Sequence, residues 1–197
     1  MSTGSLDFKG VIFRMEEGPD TELLERLPDH LQDFYQEING IIAYNGGLQI
    51  RSCIDTDDWH SLGRFWKGER SLSRIYPNLL ESDIPFAQDC LGDQYFLRDD
   101  QVWILSGETG DVMDMEVDLP GFIEQAIDDP VEFLAMEPLA YYLQTEGDLQ
   151  PGELLHVVPA LSEQEDEETA YHIEALSVEK RLDWLHDYFK QHHSSVI

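Results

Sequence analysis

The sequence predicts an α+β fold, and two observations carry the prediction. Apolar residues recur at helical spacing in several separate segments, and short apolar runs joined by tight turns lie between them. Strands do not alternate singly with helices, which argues against a doubly wound parallel sheet. Hydrophobic residues make up 42% of the 197 residues, enough for a real core.

Taken in order, residues 1–10 are polar and predict a flexible lead. Val11, Ile12 and Phe13 begin a short strand. Leu27-Pro28 opens a helix whose Leu31, Phe34 and Ile38 share a face, and Asn39-Gly40 stops it. Ile41–Tyr44 and Leu48–Cys53 flank Asn45-Gly46-Gly47, a strong hairpin signal because Asn and Gly tolerate positive φ. A helix capped by Asp57 or Asp58 follows, with Trp59, Leu62 and Trp66 on one face. Residues 68–94 predict irregular structure.

Three strands then predict an antiparallel meander: Gln94–Arg98, Gln101–Ser106 and Asp111–Val117. Asp99-Asp100 and Gly107–Gly110 are its turns. Leu119-Pro120 starts a helix bearing Phe122, Ile123 and Ala126. Asp129-Pro130 restarts helical structure, which Pro138 interrupts. The turn-rich stretch Gly147–Gly152 marks a boundary, so 11–146 is expected as the main domain and 147–197 as an extension packed on it. That extension predicts a strand over Leu154–Val158, a solvated acidic loop over Glu163–Glu168, and a final helix from about Ser177. Val178, Leu182, Leu185 and Phe189 form the apolar stripe of this helix.

Charge is the strongest compositional signal. Asp plus Glu total 41 against 12 Lys plus Arg, a net −29. Such a surface repels nucleic acid and anionic membranes, and it favours fast association with a basic protein. Solubility alone is the competing explanation. The two cysteines, Cys53 and Cys90, form no CxxC and predict buried reduced thiols. No apolar run approaches membrane-spanning length, and the first residues carry no secretory pattern, which points to the cytoplasm.

The order of these signals resembles the SUKH superfamily, the Smi/Knr-type domain. Leu27-Pro28 with Leu31, Phe34 and Tyr35 resembles its opening helix. Tyr44-Asn45-Gly46-Gly47 resembles the glycine-rich segment after it. Ile84-Pro85-Phe86-Ala87-Gln88-Asp89, then Gly92-Asp93 and Tyr95-Phe96-Leu97, is similar to the family's central stretch. Val102-Trp103, Phe122-Ile123 and Phe133-Leu134 match its later apolar segments. The resemblance spans residues 27–135; residues 55–80 and 147–197 lie outside its pattern. It implies a central, mainly antiparallel sheet flanked by helices, here with a C-terminal strand-helix extension. It also implies a non-enzymatic function: bacterial members are mostly immunity proteins that bind and neutralise polymorphic toxins, often nucleases. Fungal members imply a regulatory adaptor without a toxin, and that alternative stays open.

The motif residues also have physical roles. Gly46 and Gly47 let the chain reverse, Pro85 fixes an extended backbone before Phe86, and Asp89 caps the turn through Gly92 with its carboxylate.

Chemistry offers little else. No HExxH, GxSxG, P-loop or GxGxxG occurs, and the seven histidines are scattered, so no metal site and no cofactor is expected. Paired acids such as Asp57-Asp58 and Asp128-Asp129 are too abundant to select a catalytic pair. A hydrolase would need a pocket holding a close carboxylate pair with raised pKa. The basic residues Arg64, Lys67, Arg70 and Arg74 are expected to pair internally. Candidate partner contacts are Asp55, Asp57, Asp58 and Trp59 in one segment and Asp99 and Asp100 in another. A basic toxin domain is the expected partner.

Overall fold

Alternation along one strand, Gln94–Arg98, sets out the layers. Tyr95 and Leu97 point into one apolar cluster, while Phe96 points into a second on the opposite face. The structure, a computed structural model, describes residues 6–164 and 171–193.

Seven strands form one antiparallel sheet in sequence order: β1 (Phe13–Arg14), β2 (Ile41–Ala43), β3 (Leu48–Ile50), β4 (Ile84–Asp89), β5 (Gln94–Arg98), β6 (Gln101–Leu105) and β7 (Val112–Asp118). Helices α1 (Thr21–Leu24) and α2 (Asp29–Glu37) connect β1 to β2, and α3 (Leu62–Trp66) lies between β3 and β4. After the sheet come α4 (Leu119–Asp128), α5 (Pro130–Phe133) and α6 (Glu137–Thr145). A second, two-stranded sheet of β8 (Glu153–Val158) and β9 (His172–Ser177) precedes α7 (Val178–His193). The fold is therefore α+β, as expected.

Both faces of the large sheet are covered. Leu31 and Tyr35 of α2, Phe122 of α4 and Leu139 of α6 pack with Phe86 and Tyr95 on one face. On the other, Phe65 of α3, Leu72, Tyr76 and Phe189 of α7 pack with Phe96 and Leu105. Phe122 is the hub of the first cluster: its ring lies 5.5 Å from Phe86, 4.9 Å from Tyr95 and 5.4 Å from Phe133.

Double coverage explains the main correction to the sequence reading. Residues 68–94 were expected to be irregular, yet β4 runs through Ile84–Asp89 with all six residues buried. A strand buried on both faces shows no polar alternation and so gives no period-two signal. Pro85 cannot donate to a ladder, and the pairing with β5 shifts register between Ile84 and Ala87. Two smaller corrections have local causes. The first strand begins at Phe13, not Val11. The cap of α3 is Ser61, whose hydroxyl accepts from Arg64 N and Thr56 N and donates to Ile54 O, so neither Asp57 nor Asp58 serves. The expected break in the helical structure falls at 134–136, where Ala135 has φ +49°, and Pro138 sits just after it in the first turn of α6, where its missing N–H costs nothing.

Other expected features have direct counterparts. Leu27-Pro28 precedes α2, with Leu31 fully buried. The β2–β3 turn holds Tyr44, Asn45 and Gly46 at φ of +55°, +54° and +111°, and a Cβ on Gly46 would meet Leu149 at 2.6 Å. Lys9 O and Gly10 O accept from Tyr44 N and Asn45 N, and Phe8 is buried against Tyr44. Residues 6–10 of the expected lead are thus packed; residues 1–5 lie outside the described residues. The extension gains a strand, β9, pairing with β8 along six residues. It is tied to the large sheet where Leu155 N donates to Cys90 O and Gln49 Nε2 to Glu153 O. Residues 165–168 of the expected acidic loop lie outside the described residues.

The Asp99-Asp100 turn carries a stability prediction. Both residues adopt φ near that of a type I′ turn, +49° and +63°, which costs a side-chain-bearing residue about 1 kcal/mol. The double change Asp99→Asn, Asp100→Gly is expected to raise the thermal midpoint by about 2–4 °C in a scanning calorimeter. A lowered midpoint would contradict this account of the turn.

Candidate functional site

The charged groups fall into three settings: two exposed acidic loops, a cleft beside α7, and a polar cluster beneath the cleft floor.

The loop after β3 presents Asp55, Asp57 and Asp58 to solvent. Thr56 Oγ1 donates to Asp58 Oδ2 at 2.9 Å and holds the bend. Trp59 is half-buried between Phe13, at 5.4 Å, and His60, at 4.8 Å, with its ring edge over Gly152. Asp99 and Asp100 sit exposed at the β5–β6 turn, where Asp100 lies 3.9 Å from His30 of α2. Among the described residues, no hydrogen bond or ion pair joins the two loops.

The cleft has a volume of about 230 Å³. Phe65, Leu72 and Ile75 wall one side, Leu182 and His186 the other, and Gly92 and Gln94 contribute to the floor. Two ion pairs hold the walls together. Arg64 Nη1 meets Glu179 at 3.2 Å, and Arg70 Nη1 meets Asp183 at 3.0 Å, one turn further along α7. Lys67 donates to Glu81 O and lies over the Trp66 ring. Three of the four basic residues of this segment are therefore engaged internally. Burial lowers the His186 pKa below the ordinary histidine value, with Lys190 adding to the effect, so the ring is neutral at pH 7.

Beneath the floor, Asp89 is buried and its Oδ1 accepts from Leu91 N at 2.8 Å, Gly92 N at 2.9 Å and Asp93 N at 3.0 Å. This is the carboxylate-capped turn the sequence predicts. Asp93 Oδ1 accepts in turn from Gly107 N at 2.8 Å. Burial raises the pKa of both carboxyls, and each has a further acid nearby, Asp93 beside Asp89 and Glu108 beside Asp93. Neither lines the cleft. A close carboxylate pair with raised pKa thus exists, but one oxygen of each is bonded to the protein's own backbone.

Arg181 of α7 completes the cluster and was missed by the sequence reading. It is 1% exposed. Its Nε donates to Leu91 O at 2.9 Å, its Nη1 lies 2.9 Å from His156 Nδ1, and its Nη2 lies 3.5 Å from Glu108 Oε1. The other Glu108 oxygen accepts from Ser162 N. Burial and the guanidinium lower the His156 pKa, so Nδ1 is an acceptor and Nε2 carries the proton. The signal was available: Arg181 stands three residues after Val178 and four before Leu185, within the apolar stripe.

Arg51 is the second missed residue. Buried in β3's continuation, its guanidinium donates to Pro85 O at 2.8 Å, Ala87 O at 3.2 Å and the side-chain oxygens of Gln88 and Gln94. It stacks 4.5 Å over Phe65. Burial without a carboxylate partner lowers its pKa to about 9.

Both cysteines are buried and unpaired, and among the described residues no His/Cys/Asp/Glu group could hold a metal. Among the described residues no helix is long and apolar enough to cross a membrane. No protein-family model matches the chain, and no curated protein matches it.

Proposed function

We propose that the chain is a non-enzymatic protein-binding domain of the cytoplasm that neutralises a basic toxin domain by covering its working surface. The observation that carries this reading is the division of the carboxylates. Those buried below the cleft serve the fold's own backbone and Arg181, while Asp55, Asp57, Asp58, Asp99 and Asp100 stand on exposed loops; among the described residues no basic side chain lies within hydrogen-bond distance of their carboxylates, and Arg64 reaches only the backbone carbonyl of Asp57. Groups of that kind meet a basic surface rather than perform proton transfer in a pocket. The class of partner comes from the SUKH resemblance: on a nuclease toxin, exposed acids would occupy the positions of substrate phosphates. The net charge of −29 supports protein over nucleic acid as the bound macromolecule.

The test is association with a basic toxin domain, sought first among the products of neighbouring genes, followed by stopped flow across a salt series. Raising ionic strength from about 0.01 M to about 1 M shortens the screening length from about 30 Å to about 3 Å. The on-rate is expected to fall at least about tenfold over that range, and the triple change Asp55→Asn, Asp57→Asn, Asp58→Asn to lower it at low salt. A toxin that stays active with excess protein overturns the neutralising function for that toxin. A salt-independent on-rate removes the electrostatic role.

A further inference from the structure

We infer that the cleft between residues 65–76 and α7 is the anchor site for a single apolar side chain of a basic protein partner. The inference rests on the protein-binding reading above and adds to it a place and a chemistry.

Size and lining argue for a side chain. At about 230 Å³ the cleft falls below the roughly 300–1,000 Å³ of small-molecule sites. Its walls are mainly apolar, and protein interfaces concentrate their affinity in apolar or aromatic anchors seated in such pockets. The walls are also fixed before any partner arrives. Two ion pairs join them, and Tyr76 Oη donates to Gly107 O at 2.9 Å across the base.

Charge selects the neighbours of that side chain. At the rim, Arg70 is already paired with Asp183. Exposed Glu69 has no ion-pair partner among the described residues. Among the charged residues that line the cleft, Glu69, Arg70 and Asp183, one negative charge is therefore uncompensated, in the field of a molecule of net charge −29. A lysine or arginine flanking the inserted side chain is complementary to it; an acidic flank is repelled.

Three pentapeptides titrated into the ¹⁵N-labelled full chain, followed by NMR, test this. One has a central phenylalanine with two lysines on each side, the second replaces that phenylalanine by alanine, and the third replaces the lysines by glutamates. The lysine–phenylalanine peptide is expected to bind at least about tenfold more tightly than the alanine peptide, with shifts centred on Gly92, Gln94 and His186. Leu182→Phe, which narrows the cleft, should abolish that preference, and Glu69→Lys, on the exposed rim, should weaken the lysine–phenylalanine peptide without altering the fold. Equal binding of the phenylalanine and alanine peptides, with shifts on the Asp55–Asp58 loop, overturns the anchor and leaves the protein-binding reading standing. Equal binding of the glutamate-flanked peptide in the cleft overturns the assigned partner chemistry. Absence of cleft shifts with both phenylalanine peptides overturns the inference, while the salt-dependent association above judges the broader reading separately.

Discussion

Replacing Arg181 by methionine is expected to lower unfolding stability by about 3–5 kcal/mol, measured by urea titration at pH 7. The side chain is the most buried cation in the chain, at 1% exposure, and it contacts three polar groups at once. Removal leaves the Leu91 carbonyl without its donor and His156 Nδ1 without its partner. It also strips Glu108 of its ion-pair partner and takes a positive charge from beside Asp93 and Asp89. Methionine fills the volume but none of these roles, so buried acids remain uncompensated. The double change Arg181→Met, Glu108→Gln should recover part of the loss, because it removes one stranded charge along with its partner. An Arg181→Met midpoint equal to the parent's would show that the cluster contributes nothing to stability.

Asp89→Asn should do the opposite at neutral pH and stabilise the fold, by on the order of 2 kcal/mol at pH 7. The sign follows from the direction of the pKa. Burial, and Asp93 beside it, raise the Asp89 carboxyl above its ordinary value near 4. The folded state then binds a proton that the unfolded chain has already released, so stability falls as pH rises from about 4 toward the raised folded value. Asparagine keeps the oxygen that accepts the three turn N–H groups and replaces the other by a donor, as in the protonated acid. The stability difference between variant and parent should therefore grow with pH, by up to about 1.4 kcal/mol per unit. His156 and His186, whose pKa values are lowered, act in the reverse sense below about pH 6.5 in both proteins, so they cancel in the difference. Asp89→Ala removes the acceptor itself and should destabilise at every pH. A flat difference profile for Asp89→Asn would mean that the three N–H bonds hold the carboxyl ionised in the fold.

The parts legible in the sequence were those with local signals. The β5–β6–β7 meander showed itself through three short runs closely spaced by two tight turns, α4 through Leu119-Pro120 and its four-residue apolar spacing, and the carboxylate turn through Asp89 followed by Gly92. What escaped depends on distant chain. β4 lost its alternation because α3 packs over the face that solvent would otherwise wet. Strand β9 pairs with β8 across an acidic stretch, and its own outward residues, His172 and Glu174, gave no apolar run. Arg181 and Arg51 escaped because arginine is rarely buried: only the contacts of Leu91, His156 and Glu108, or of Pro85 and Gln94, reveal why these two are. The cleft could not be read at all, since its two walls are about a hundred residues apart in sequence and meet only through folding.

The order of the large sheet has a consequence for how the chain is made. Strands β1 to β7 pair strictly with their predecessors, so each strand leaving the ribosome finds its neighbour already present. Of the described elements that pack on the sheet after β7, α7 is made after α4, α6, β8 and β9. Until it emerges, the apolar face bearing Phe65, Tyr76 and Phe96 lacks Phe189, and the acids around Asp93 lack Arg181. The nascent sheet is thus complete but unsealed, and synthesis of the last helix closes the apolar layer and neutralises the buried acids in a single docking step.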